Sequence, residues 1–230
     1  MLGGVFIRTE KPVGLALFDL DNTLIGGDSD YLWGCFLAEQ GIVDGARYER
    51  ENQRFYDQYK AGELDIHEFL RFQLRPLAEH DMPTLRQWRS AYIEEKVRPI
   101  LLPLAHSLIG EHRDRGDTVV IITATNSFIT RPIADLYGVE YLLATEPEII
   151  DDRYTGNVDG VPCFQHGKVE KLNAWLGVNN TDLQDSWFYS DSHNDLPLLN
   201  RVARPVAVDP DDILQQHALE HDWHIMSLRN

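Results

Sequence analysis

The stretch GLALFDLDNTLIGGDSD, residues 14–30, decides the reading of the chain. Its start, GLALFD, reads as a buried strand: a short apolar run closed by turn-forming residues. The run ends on Asp19 and Asp21, one residue apart, and then turns through Thr23 to Gly26 and Gly27. Two carboxylates so close repel each other, and a purely structural strand gains nothing from them. They suit a chemical task, in which one acts as nucleophile and its partner as general acid and base. The pair is also a natural seat for a hard cation, because Mg²⁺ takes one or two carboxylates together with water and substrate phosphate oxygens. A solvated Asp–Asn turn explains a lone D-x-D equally well.

Four further runs look like buried strands: TVVII (118–122), YLLAT (141–145), WFYS (187–190) and PVAV (205–208). Residues 127–137 and 168–176 carry apolar side chains at helical spacing between them. Alternation of this kind predicts a parallel sheet with helices on both faces, and reactive groups gathered where the strands end. Residues 29–98 break the rhythm and read as consecutive amphipathic helices. In the second of these, Tyr48, Phe55, Tyr56 and Tyr59 share one face. Gly26 and Gly27 mark its entrance and Pro99 its exit. EPEIIDDRYTGNVDG (146–160) reads as a β-hairpin.

The 230 residues carry a formal charge of −16, which argues against a nucleic-acid or anionic-membrane surface. An anionic substrate then needs local positive charge or a metal cation. Two cysteines, Cys35 and Cys163, lie far apart, as in a reducing compartment. The stretch MLGGVFIRTEKPVG (1–14) lacks the pattern of a signal peptide, and no run reaches the length of a membrane span. A cytoplasmic protein is expected.

Three other segments carry chemistry. WFYSDSHNDLPLL (187–199) is a second apolar strand ending in acids, Asp191 and then Asn194 and Asp195. Asp195 alone also fits the first turn of a helix, where it meets the dipole. VVIITATNSF (119–128) ends a strand in Thr123, Ala124, Thr125 and Asn126 at a helix start, either a helix cap or a phosphate cradle. Lys168, in HGKVEKL (166–172), opposes the dipole at the start of its helix, so it asks for an anion unless it is simply a surface lysine.

Together the four segments resemble the haloacid dehalogenase superfamily: D-L-D-N-T at Asp19, Thr123 after its strand, Lys168, and D-S-H-N-D at Asp191, in that order. The resemblance implies an α/β fold, a Rossmann-like parallel-sheet core (1–27 and 99–230) with an inserted helical cap (28–98). It implies that Asp19 attacks phosphorus to form an aspartyl-phosphate, and that Asp21 serves as acid and then base. It implies Mg²⁺ held by Asp19, Asp191 and the backbone carbonyl of Asp21, with Asn194 and Asp195 supporting that shell. Thr123 and Lys168 hold the phosphoryl oxygens. Dehalogenases do not need the second acid, and P-type pumps carry threonine there along with membrane spans. The chain therefore resembles the phosphatases.

The cap position resembles the phosphoserine-phosphatase branch, in which an acid nine residues beyond the nucleophile binds the substrate amine. That position is Asp28, which is equally suited to cap the first cap helix. The branch places an arginine in the cap for the substrate carboxylate. Anchored on AGELDIHEF (61–69), the matching position is near Gln73, with Arg71 and Arg75 close by. This departure favours an amino-phosphate without a carboxylate. The strings at 19–30, 123–126, 153–156 and 189–199 resemble bacterial histidinol-phosphate phosphatases. Histidinol phosphate is the expected substrate, with Asp28, Ala124 and Gln73 as candidate contacts. Phosphoserine and phosphoethanolamine or phosphocholine are the alternatives, and a non-catalytic sensor of a phosphometabolite is a distant one. Trp33 and Phe36 suit core packing better than imidazole stacking. His217 and His221 suit a solvated helix face better than a zinc site.

Overall fold

The computed structural model of the chain describes residues 14–229. The leader reading rests almost wholly on residues 1–13 and lies outside them. β1 (Leu15–Phe18) is buried on both faces. Its side chains alternate: Ala16 and Phe18 enter one apolar cluster, Leu15 and Leu17 the other. The same period of two divides Val119 and Ile121 from Val120 and Ile122 on β2 (Thr118–Asn126). A strand apolar on both sides belongs in the middle of a covered sheet. β1 is there, paired in parallel with β2 and with β5 (Ser186–Ser190).

The sheet has seven strands in the order β4-β3-β2-β1-β5-β6-β7. β3 (Tyr141–Ile150), β6 (Arg204–Val208) and β7 (His224–Met226) continue the parallel set, and β4 (Arg153–Asp159) closes the hairpin antiparallel to β3. The hairpin expected at 146–160 is present. β7, three residues long, was not anticipated. β2 extends past its apolar run TVVII to Asn126, with a register shift against β3 between Ile122 and Asn126. Such irregularities re-aim side chains next to active sites, and here the shift falls on Thr123 to Thr125.

Between β1 and β2 lie α1 (Ser29–Glu39), α2 (Gly45–Ala61), α3 (Ile66–Gln73), α4 (Arg75–Glu79) and α5 (Met82–Tyr92). A π-helical turn (Ile93–Val97) and a 3₁₀ turn (Arg98–Ile100) lead back to the sheet. α1, α2, α3 and α5 each start behind an aspartate, Asp28, Asp44, Asp65 and Asp81, whose side chain accepts first-turn N–H groups. Part of the chain's acidity is thus helix capping. The two linkers of this helical insert are joined: Gly26 N donates to Ile100 O at 2.8 Å, and Ile25 lies opposite Leu101. Trp33 and Phe36 are fully buried against Tyr92, and Trp33 also meets Phe128, so they belong to the core. The remaining helices cover the sheet: α6 (Pro103–Asp114), α7 (Ser127–Leu136), α8 (His166–Asn179), α9 (Leu196–Leu199) and α10 (Asp212–Glu220).

Candidate active site

The loop after β1, the end of β2, the start of α8 and the loop after β5 meet at one edge of the sheet. They form the floor of a cleft enclosing about 850 Å³ of space open to solvent, room for a small metabolite. Lys168 sits in the first turn of α8 and is 3% exposed. Its Nζ donates to Asp19 Oδ1 at 2.7 Å and to Asp195 Oδ2 at 2.8 Å. That position depends on Gly167: a Cβ there would lie 1.9 Å from the Pro162 carbonyl oxygen. The turn into α8 also needs Gln165 at φ +47°. Lys168 is therefore built in, and the surface-lysine alternative is excluded.

Asp19 is nearly buried. Burial, the largest influence, pushes its carboxyl up to about 7; Lys168 pulls it back, while Asp195 and Asp21 add to the push. Asp21 accepts from Ser29 N at 2.7 Å and from Thr125 Oγ1 at 2.8 Å. Burial nevertheless raises its carboxyl above the ordinary range. Asp195 also accepts from Ser190 Oγ at 2.7 Å. Asn194 is tied on both sides: its Oδ1 accepts from Gln165 Nε2 at 2.9 Å, and its Nδ2 donates to Tyr59 O in α2 at 3.1 Å. Thr123 and Ala124 line the cleft, Thr123 Oγ1 accepting from Thr125 N at 3.2 Å. Asn126, not Thr123, caps α7, by accepting from Ile129 N.

Asp191 tests whether a cation belongs here. Its side chain accepts one hydrogen bond, from Thr23 Oγ1 at 3.1 Å, and among the described residues it has no ion pair. Burial, then Asp19 and Asp195, hold its carboxyl well above the usual range. Lys168 is already engaged with two carboxylates, so ionising Asp191 as well calls for a further cation. No three His, Cys, Asp or Glu side chains converge as a metal cluster among the described residues. Two carboxylates, Asp19 and Asp191, with carbonyl oxygen and water would fit the sparse protein shell of Mg²⁺. His217 and His221 stack at 4.0 Å on α10, away from this cleft.

The roof of the cleft comes from the insert. Asp28 caps α1 through Tyr31 N at 2.9 Å, and it lines the cleft as well. Burial and then Asp21 push Asp28 up to about 7. Gln73 also lines the cleft, 2% exposed; its Oε1 accepts from Tyr48 OH at 3.0 Å. Phe55, Tyr56 and Tyr59 face the cleft, whereas Tyr48 turns back to pack on Phe72. Several cleft residues, Asp30, Phe69 and Phe164 among them, were not singled out from the sequence as contacts. Thr125, read there with Thr123 as part of a cap or cradle, falls on the same face of the strand as Thr123.

The sequence comparison agrees with this geometry. Residues 16–200 match the haloacid dehalogenase-like hydrolase family, and the chain belongs to it. It is a phosphatase of that family. The histidinol-phosphatase of Neisseria meningitidis serogroup C (strain 8013) is 42% identical over 219 residues, covering 94% of this chain and 99% of that protein. A protein of unknown function from Bordetella pertussis Tohama I is also 42% identical, with a TM-score of 0.89 over 95% of this chain and 100% of its own. A substrate-bound phosphoserine phosphatase, 20% identical, shares the fold with a TM-score of 0.71 over 96% of each chain. No helix among the described residues is long and apolar enough to cross a membrane.

Proposed function

We propose that the chain is a Mg²⁺-dependent phosphomonoesterase that works through an aspartyl-phosphate on Asp19 and acts on L-histidinol phosphate, with residues 28–98 as the cap over the site. The observation that carries the substrate class is the lining of the cleft. Lys168 is its one Lys or Arg among the described residues, and the floor already uses it. The roof offers carboxylates and aromatic rings instead. Such a roof suits an ammonium group and a flat ring, and it offers a carboxylate no partner. The 42% identity to a histidinol-phosphatase supports the same choice.

Asp19, fixed by Lys168, attacks phosphorus while Asp21 protonates the departing alkoxide oxygen. A carboxyl raised by burial suits that acid. The Asp19–phosphorus bond is then broken by water, whose proton Asp21 accepts. Thr123 and Lys168 bind the phosphoryl oxygens and balance the charge that develops. Asp19, Asp191 and the carbonyl of Asp21 would hold Mg²⁺, which when bound supplies charge neutralisation to the phosphoryl group. Asn194 and Asp195 keep that arrangement in register.

The test is kcat/KM with Mg²⁺ for histidinol phosphate, phosphoserine and phosphoethanolamine on one preparation. Histidinol phosphate is expected to lead, EDTA to abolish turnover, and Asp19→Asn to lower kcat by at least about 10³-fold. A lead for phosphoserine overturns the substrate, and an active Asp19→Asn overturns the nucleophile.

A further inference from the structure

We propose that Asp30 is a specificity-determining residue of this cleft: its carboxylate accepts an N–H of an imidazole ring carried by the amino-phosphate, beyond the amine that Asp28 receives. The inference rests on the functional reading above and deepens it. Asp30 is 4% exposed, yet it lines the cleft. Asn126 Nδ2 reaches its carboxylate in a long bond of 3.4 Å, the Thr125 hydroxyl lies beside it but donates to Asp21, and no ion pair forms among the described residues; the first turn of α1 is its other favourable neighbour. A buried carboxylate so poorly matched is costly, and removing the cost is open to any ligand that brings an N–H.

Asn126 does not account for the charge. It caps α7 through its own Oδ1, which accepts from Ile129 N at 3.3 Å. A neutral amide or hydroxyl at position 30 would serve Asn126 Nδ2 at lower cost. Asp21, Asp28 and Asp30 all line the one cleft. An amino-phosphate with a ring brings an ester oxygen, an amine and a ring to it, one more donor than Asp28 alone receives. Phe55 and Phe69, from α2 and α3, supply the flat apolar wall that a ring needs.

The test compares kcat/KM for histidinol phosphate, phenylalaninol phosphate and phosphoethanolamine with Mg²⁺. Phenylalaninol phosphate keeps the amine and replaces the imidazole by a ring without N–H. Wild type is expected to prefer histidinol phosphate to it by about ten- to hundredfold, the loss of one charge-assisted hydrogen bond. Asp30→Asn or Asp30→Ser should shrink that ratio to about threefold or less, whereas Asp28→Asn should weaken all three compounds and leave the ratio standing. A ratio unaltered in a folded Asp30 variant, or near one in wild type, overturns the assignment. A structure of Asp19→Asn with histidinol phosphate decides independently of Asp30 variants: a ring nitrogen within hydrogen-bond distance of Asp30 is expected, and a ring turned elsewhere overturns it. Failure of the broader reading has a different signature, namely wild type that turns over histidinol phosphate no faster than phosphoethanolamine.

Discussion

The floor and the roof of the cleft differ in whether any of their buried carboxylates is paired with a cation. On the floor, Asp19 and Asp195 share Lys168, and Ser190 completes Asp195. In the roof, Asp28 and Asp30 have no ion pair among the described residues, although both lie beside the cavity. Charge matched from within is already oriented before substrate arrives. Charge left unmatched is costly until a ligand brings its partner. On the proposed function, this difference divides the work: the floor does chemistry and the roof selects.

Removing the match on the floor should give the largest effect. Lys168→Ala is expected to lower kcat by about 10²–10³-fold. It should also cost stability, on the order of 3–5 kcal/mol, because Asp19 and Asp195 are left buried without their cation. Denaturant unfolding and steady-state kinetics on one preparation check both. A variant that loses neither would erase the contrast.

Giving the roof a cation should have a smaller and different effect. Gln73→Arg places a guanidinium where Tyr48 now donates to the amide oxygen. The kcat/KM ratio of phosphoserine to histidinol phosphate is expected to rise about tenfold, with kcat for the better substrate changing less. An unchanged ratio would show that Gln73 is a strut of the roof and not a reader of substrate.

The smallest effect lies away from the cleft, where a polar group is matched as on the floor. His112 on α6 is fully buried; its Nδ1 meets Asp117 Oδ2 and its Nε2 meets Tyr189 OH, each at 2.8 Å. Burial, above all, lowers its pKa from 6.5. Because the folded value lies below the unfolded one, its share of stability is intact above pH ~6.5 and declines as pH falls through and below that value. The slope is bounded at about 1.4 kcal/mol per pH unit for the one proton, and should flatten in His112→Gln. Urea titrations between pH 7 and 5 measure it.

The floor was legible in the sequence because each of its groups sits where an apolar run abruptly ends. Asp19, Thr123 and Asp191 all follow strands that local pattern reveals; Asp19, Thr123 and Lys168 line the cleft, and Asp191 lies behind them, bonded to Thr23 and within reach of the charges of Asp19 and Asp195. The roof was less so. Asp30 reads as one more acid in a helix-capping triplet, and its burial beside Asn126 without an ion pair among the described residues depends on how α1 sits against the Thr125–Asn126 end of β2. Thr125 was readable as part of the segment that ends its strand, but its bond to Asp21 was not, because it depends on the register shift there. β7 is short and holds a histidine, so nothing in its pattern marks a strand. Tyr56 and Tyr59 were readable as one face with Phe55, but not the surface that face would meet. Tyr48 shows the limit, since helical spacing cannot tell cleft from core.

The bond between Gly26 and Ile100 has a consequence for how such a protein diverges. It joins the two ends of about seventy residues at a single strand spacing. The entropy of closing a loop grows only with the logarithm of its length. Insertions, losses and wholesale rebuilding between the two joined ends therefore leave the strand order and the phosphate floor undisturbed. Mutation can rewrite the diet of the enzyme without having to reinvent its chemistry.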